Sequence, residues 1–83
     1  MLRIYISAHC IMCDTVRHLA AFVQAERPDM PVTVVDVDAP NADVPKNIIG
    51  TPVYTWNDRI VFLGNPSEAE LLRRVSMFYD TTR

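Results

Sequence analysis

The chain has 83 residues, 49% of them hydrophobic, and its mixed charges sum to −2. That length has room for one core, so a single domain over 1–83 is expected, ordered from about 2 to 79, and the composition excludes a disordered chain. The mild acidity, with Arg73-Arg74 as the only adjacent Lys/Arg pair, excludes nucleic acid as the main partner, and no apolar run approaches the ~20 residues of a membrane helix.

Leu2-Arg3-Ile4-Tyr5-Ile6 is short, apolar and partly β-branched, which predicts a strand ending at Ser7-Ala8-His9. The strand begins at once, without the basic segment, apolar core and cleavage site of a signal peptide, so a cytoplasmic location is expected. Cys10-Ile11-Met12-Cys13 comes next and holds the only two cysteines. A helix is predicted from about Cys10 or Ile11 to Ala25, because Cys13, Val16, Leu19 or Ala20, and Val23 share one face. Asp14 falls in its first turn, where negative charge suits the helix dipole, and His18 lies one turn further on, expected to be exposed. Arg27-Pro28-Asp29 ends the helix, since a residue before proline is pushed out of the α region.

Val32-Thr33-Val34-Val35-Asp36-Val37 predicts a second strand, and its β-branched content suits one covered on both faces. Strand, helix and strand form a βαβ unit with parallel strands. From Asp38 to Gly50, Pro40, Pro45 and two asparagines predict irregular chain with at most a short helix near Val44–Ile49. Asp36, Asp38 and Asp43 lack the spacing and closing Glu of a calcium loop and read as solvated carboxylates. Thr51 to Trp56 and Arg59 to Leu63 flank Asn57-Asp58 as an antiparallel hairpin. After Gly64 a last helix opens, capped by Asn65 with Glu68 or by Ser67 with Glu70; both remain open. Leu71, Leu72, Val75 and Phe78 supply its apolar face, and the tail from about Asp80 is expected to fray.

Two thiols two residues apart, between a strand and a helix, are where a redox dithiol is expected. The unpaired N–H groups and positive dipole end of a helix favour thiolate over thiol. Cys10, as the exposed first thiol, is the expected nucleophile, and Cys13, on the core-facing side, the resolving cysteine. A protonated His9 would stabilise the Cys10 thiolate; the alternative is a loop histidine with little effect. Ile11 and Met12 are candidates for an apolar lip that docks substrate, with simple packing as the alternative for Met12.

The order βαβ, irregular stretch, ββα, with C-x-x-C at the first helix, resembles the thioredoxin/glutaredoxin family. Ile49-Gly50-Thr51-Pro52-Val53-Tyr54 is similar to the family's cis-proline element, and Gly64 to the glycine before its last helix. The resemblance covers essentially the whole chain, in a compact form without thioredoxin's extra N-terminal strand and helix. It implies an α/β thioredoxin-like fold, βαβ-(short helix or loop)-ββα, with a four-stranded mixed sheet and helices on both faces. It also implies a thiol–disulfide oxidoreductase without a cofactor, in which Thr51 offers backbone hydrogen bonds to substrate and Pro52 packs beside the dithiol. Protein disulfides are the implied substrates, a flavin reductase or glutathione the electron donor, and the chain is expected to be a monomer. Ile11-Met12 replaces the Gly-Pro or Pro-Tyr common between the cysteines, and Ile4 stands where thioredoxins keep a buried acid. The glutathione-type Gly-Gly with an acid is replaced by Gly64-Asn65, which favours a protein disulfide over glutathione.

Two other classes compete. A metal or iron–sulfur module would use His9, Cys10, Cys13 and His18, but tetrahedral sites want four converging ligands. A redox-inactive interaction module is disfavoured by the intact cysteine pair.

Overall fold

The computed structural model describes residues 1–8 and 10–82. Leu2–Ile6 forms β1, Cys13–Glu26 forms α1 and Val32–Asp36 forms β2. Val53–Trp56 and Arg59–Leu63 follow as β3 and β4, and Glu68–Thr82 forms α2. β1 and β2 run parallel, Leu2 beside Val32 and Ile6 beside Asp36, as a helical crossover requires. β3 returns antiparallel on the other side of β1, with Ile4 beside Tyr54, and β4 pairs antiparallel with β3. The result is one mixed sheet in the order β2-β1-β3-β4, the α/β architecture expected from the sequence.

Side chains alternate across a strand, so the register sorts residues by face. Leu2, Ile4 and Ile6 of β1 share one face with Tyr54 and Trp56 of β3. Against them pack Cys13, Val16, Leu19 and Val23 of α1 and Leu71 and Val75 of α2, in a single buried cluster. Both helices therefore lie on the same face of the sheet. Tyr5 and Val53 point to the opposite face and are also buried, outside that cluster.

Here the structure corrects the expectation of helices on both faces. Residues 37–52 contain no helix, only isolated turns such as Ile48 N–H to Pro45 C=O at 3.1 Å. Pro40 and Pro45 each lack a backbone donor and restrict the residue before them, and Asn41 adopts a left-handed φ of 66°. A helix is blocked at three points in a short segment.

The prediction for β2 is also corrected. It lies at the sheet edge, and none of its residues is fully buried. Its β-branched content suits any pleated surface, and strand order, which the local sequence does not encode, decides how much is covered.

The β3–β4 turn follows its residues closely. Asn57 and Asp58 have φ of 49° and 72°, the left-handed pair that a two-residue hairpin turn needs. Of the two caps considered for α2, Ser67 takes the role: its Oγ accepts from the Glu70 N–H at 3.1 Å and donates to Glu70 Oε1 at 3.2 Å. Asn65 is thereby left free for another contact. At the far end α2 extends through Thr82, past Asp80. Arg27 Nη2 donates to Asp80 Oδ1 at 2.8 Å and the Tyr79 hydroxyl to the Asp29 carbonyl at 3.1 Å, tying the helix end to the turn after α1.

Candidate functional site

The C-terminal end of β1 feeds a short turn that carries both cysteines. Cys10 and Cys13 are joined as a disulfide, with Cα atoms 5.3 Å apart. The turn closes through Cys13 N–H to Cys10 C=O at 3.1 Å, and α1 starts only at Cys13, with Met12 as its N-cap. The predicted start at Cys10 or Ile11 is thus three or two residues too early, because the disulfide ring encloses a turn and not helix. Cys13 opens the buried face of α1 and is 5% exposed. Cys10 is half-buried and rests against the same core. The two cysteines therefore differ in exposure, the first being the more open. Ile11 is 92% exposed and Met12 49%.

A second segment meets this turn. Ser7 Oγ and Thr51 Oγ1 are 2.9 Å apart, joining the end of β1 to the residue before Pro52. The Thr51–Pro52 peptide is cis and Pro52 is buried. Gly64, at a φ of +85° that favours glycine, donates its N–H to the Pro52 carbonyl at 2.9 Å. Ser7, Val37, Ile48, Ile49, Gly50 and Thr51 line an open groove of about 250 Å³ beside this segment. Ile49 on its rim is 92% exposed. Ser7 thus links the Thr51–Pro52 segment to the turn that carries the cysteines, Ile11 and Met12: its Oγ meets Thr51 and its carbonyl accepts the Cys10 N–H at 3.4 Å. His9, the candidate tuning residue, lies outside the described residues.

His18 is not part of this constellation. Its Nε2 lies 3.2 Å from Glu68 Oε2, bridging the exposed faces of the two helices. Cys10, Cys13 and His18 accordingly do not converge as the rival metal reading requires. Ile4 is fully buried in the core where the resemblance places an acid, and Thr55 is the buried polar residue among those described.

Two polar side chains hold the turn and were read otherwise from the sequence. Asp38 Oδ2 accepts the Ala8 N–H at 3.1 Å, upstream of Cys10. Asn65 Nδ2 donates to the Met12 carbonyl at 2.8 Å, immediately before Cys13, and Asn65 Oδ1 accepts from the Tyr54 hydroxyl at 2.8 Å. The signal for Asn65 was present in part: with Ser67-x-x-Glu70 able to cap α2 alone, a second capping residue is surplus.

Burial pushes the Tyr54 phenol well above its ordinary pKa of 10. The folded chain holds this proton where the unfolded chain, titrating near 10, loses it. Tyr54 thus supports stability below about pH 10, and that support is lost as the pH rises beyond it. In an alkaline titration at the phenolate absorbance, Tyr54 should ionise only as the chain unfolds, and Tyr54→Phe should lower the amplitude of the step that coincides with unfolding. Amplitude lost before unfolding begins would refute the assignment.

A family model described as a thioredoxin domain matches residues 1–76. Comparison with curated proteins and with solved structures finds no match. Matched across nearly its full length, and with a cysteine pair bridged between β1 and α1, the chain belongs to the thioredoxin-domain family.

Proposed function

We propose that the protein is a thiol–disulfide oxidoreductase that exchanges its Cys10–Cys13 pair with disulfides in other proteins. The observation that carries this reading is the bridged pair with unequal access, Cys10 half-buried outside the helix and Cys13 buried at its first turn. In the reduced protein the Cys10 thiolate attacks one sulfur of a substrate disulfide. The substrate S–S bond breaks, its other sulfur leaves as thiolate and takes up a proton, and a Cys10–substrate disulfide forms. Cys13, deprotonated, then attacks the Cys10 sulfur, which restores the intramolecular disulfide and releases the second substrate thiol. The substrate gains two electrons and the protein loses two; a flavin reductase or glutathione returns them.

The remaining site residues take roles around this exchange. Cys10 lies beyond the N-terminus of α1, where the dipole favours its thiolate, and a protonated His9 adds to that preference. Thr51 presents backbone groups to an extended substrate segment, Pro52 packs beside the dithiol, and Ile11 and Met12 cover apolar surface on the partner.

Equilibrating the protein in graded dithiothreitol buffers and counting free thiols tests the reading. One reversible two-electron transition is expected. A potential near about −270 mV marks a reductant, and one near about −120 to −200 mV marks an oxidant, isomerase or glutaredoxin-like role. A pair that, once reduced, fails to close again across the whole buffer range would overturn the proposal.

A further inference from the structure

The residues between the cysteines belong neither to β1 nor to α1. Besides the local bond that closes the turn, one contact reaches in from a distant part of the chain. Asn65 comes from the loop between β4 and α2, 53 residues from Met12, and grips the carbonyl of the residue next to Cys13. Its amide has a defined sense. The Tyr54 hydroxyl donates to Oδ1, so Nδ2 is turned toward Met12. Tyr54 is fully buried, and burial keeps its phenol protonated and hence a donor through the ordinary pH range. Tyr54, Asn65 and Met12 form a chain of hydrogen bonds from the sheet to the dithiol turn.

We propose that Asn65 is a positioning residue for the dithiol, holding the Cys10–Cys13 turn in the geometry that favours the disulfide, and that Tyr54 orients Asn65 for this. The inference rests on the proposed redox function of the pair. Coupling between two events is reciprocal: if closing the Cys10–Cys13 ring orders the Met12 carbonyl for Asn65, the Asn65 contact favours ring closure by the same factor. A contact that merely stabilised the fold would favour oxidised and reduced protein equally and leave their ratio unchanged. The thiol–disulfide equilibrium therefore separates positioning from simple stabilisation.

The test compares wild type, Asn65→Ala, Asn65→Asp, Tyr54→Phe and the Tyr54→Phe/Asn65→Ala double variant in graded dithiothreitol buffers, with thermal unfolding of each measured in parallel. A net hydrogen bond of ordinary strength predicts that Asn65→Ala disfavours the disulfide by about five-fold, a rise in potential of about 20 mV for a two-electron couple. Asn65→Asp keeps an acceptor for Tyr54 but sets a carboxylate against the Met12 carbonyl, so its shift should have the same sign and be at least as large. Tyr54→Phe keeps the buried ring and should shift the equilibrium less, in the same direction, and add nothing in the Asn65→Ala background. If Asn65→Ala fails to fold, Asn65→Asp and Tyr54→Phe carry the test. Variants that titrate within two-fold of wild type, even with a lowered Tm, would overturn the inference. A wild type without any reversible transition would instead overturn the redox reading beneath it.

Discussion

Cys13→Ser is expected to accumulate as a mixed disulfide with its substrate, while Cys10→Ser forms no such adduct and loses turnover. Cys10 is the more exposed residue and Cys13 is 5% exposed, so under the proposed function an incoming disulfide should meet Cys10 first. Without Cys13 the first exchange still proceeds, but no neighbouring thiol is left to expel the bound substrate. Without Cys10 the remaining thiol is buried and cannot reach a disulfide on another protein. Non-reducing electrophoresis after mixing each variant with a disulfide-containing test protein reads both outcomes. Adducts on Cys10→Ser and none on Cys13→Ser would reverse the two roles. Either serine also opens a short covalent ring, and chain entropy alone assigns that ring about 2 kcal/mol. Both variants should therefore melt about 10 °C below the oxidised wild type, close to the fully reduced protein.

The second large effect is structural. Leu71→Ala should cost about 2–5 kcal/mol, because truncating a buried leucine removes its transfer energy and leaves a cavity. Leu71 is fully buried and sits on α2 in the cluster that also holds Cys13, Val16 and Ile4. A chain of this size has about 4–12 kcal/mol of stability to lose, so the variant should give up a large share of it. Chemical denaturation should show a lower midpoint at an unchanged slope. The exposed Met77, 55% accessible on the same helix, is the control, and Met77→Ala should change stability by about 0.5 kcal/mol or less. A Leu71→Ala loss as small as that of the control would mean that α2 is not packed as described.

The dithiol was legible because its chemistry is local: two thiols at a fixed spacing between a strand and a helix have few other uses. The Thr51–Pro52 element was legible through resemblance, and the Ser7–Thr51 contact places it at the same end of the sheet as the cysteines. Asn65 and Asp38 were not, since a polar loop side chain acquires a role only from what the fold brings near it. Asn65 was a candidate cap for α2 until Ser67 filled that position. Asp38 was a solvated carboxylate until the strand ends brought the Ala8 N–H within 3.1 Å of it.

By itself, the sequence determined the strands, the two helices, the parallel first pair and the Asn57-Asp58 hairpin. Each depends on side-chain period, backbone restriction or turn chemistry acting over a few residues. Only the tertiary structure decided that both helices share one face, that β2 lies at the edge, and that α2 runs on to meet Arg27. These features turn on which surfaces compete for burial and on hydrogen bonds between segments some fifty residues apart, such as Arg27 to Asp80 and Asn65 to Met12. Local propensity carries no record of such partners.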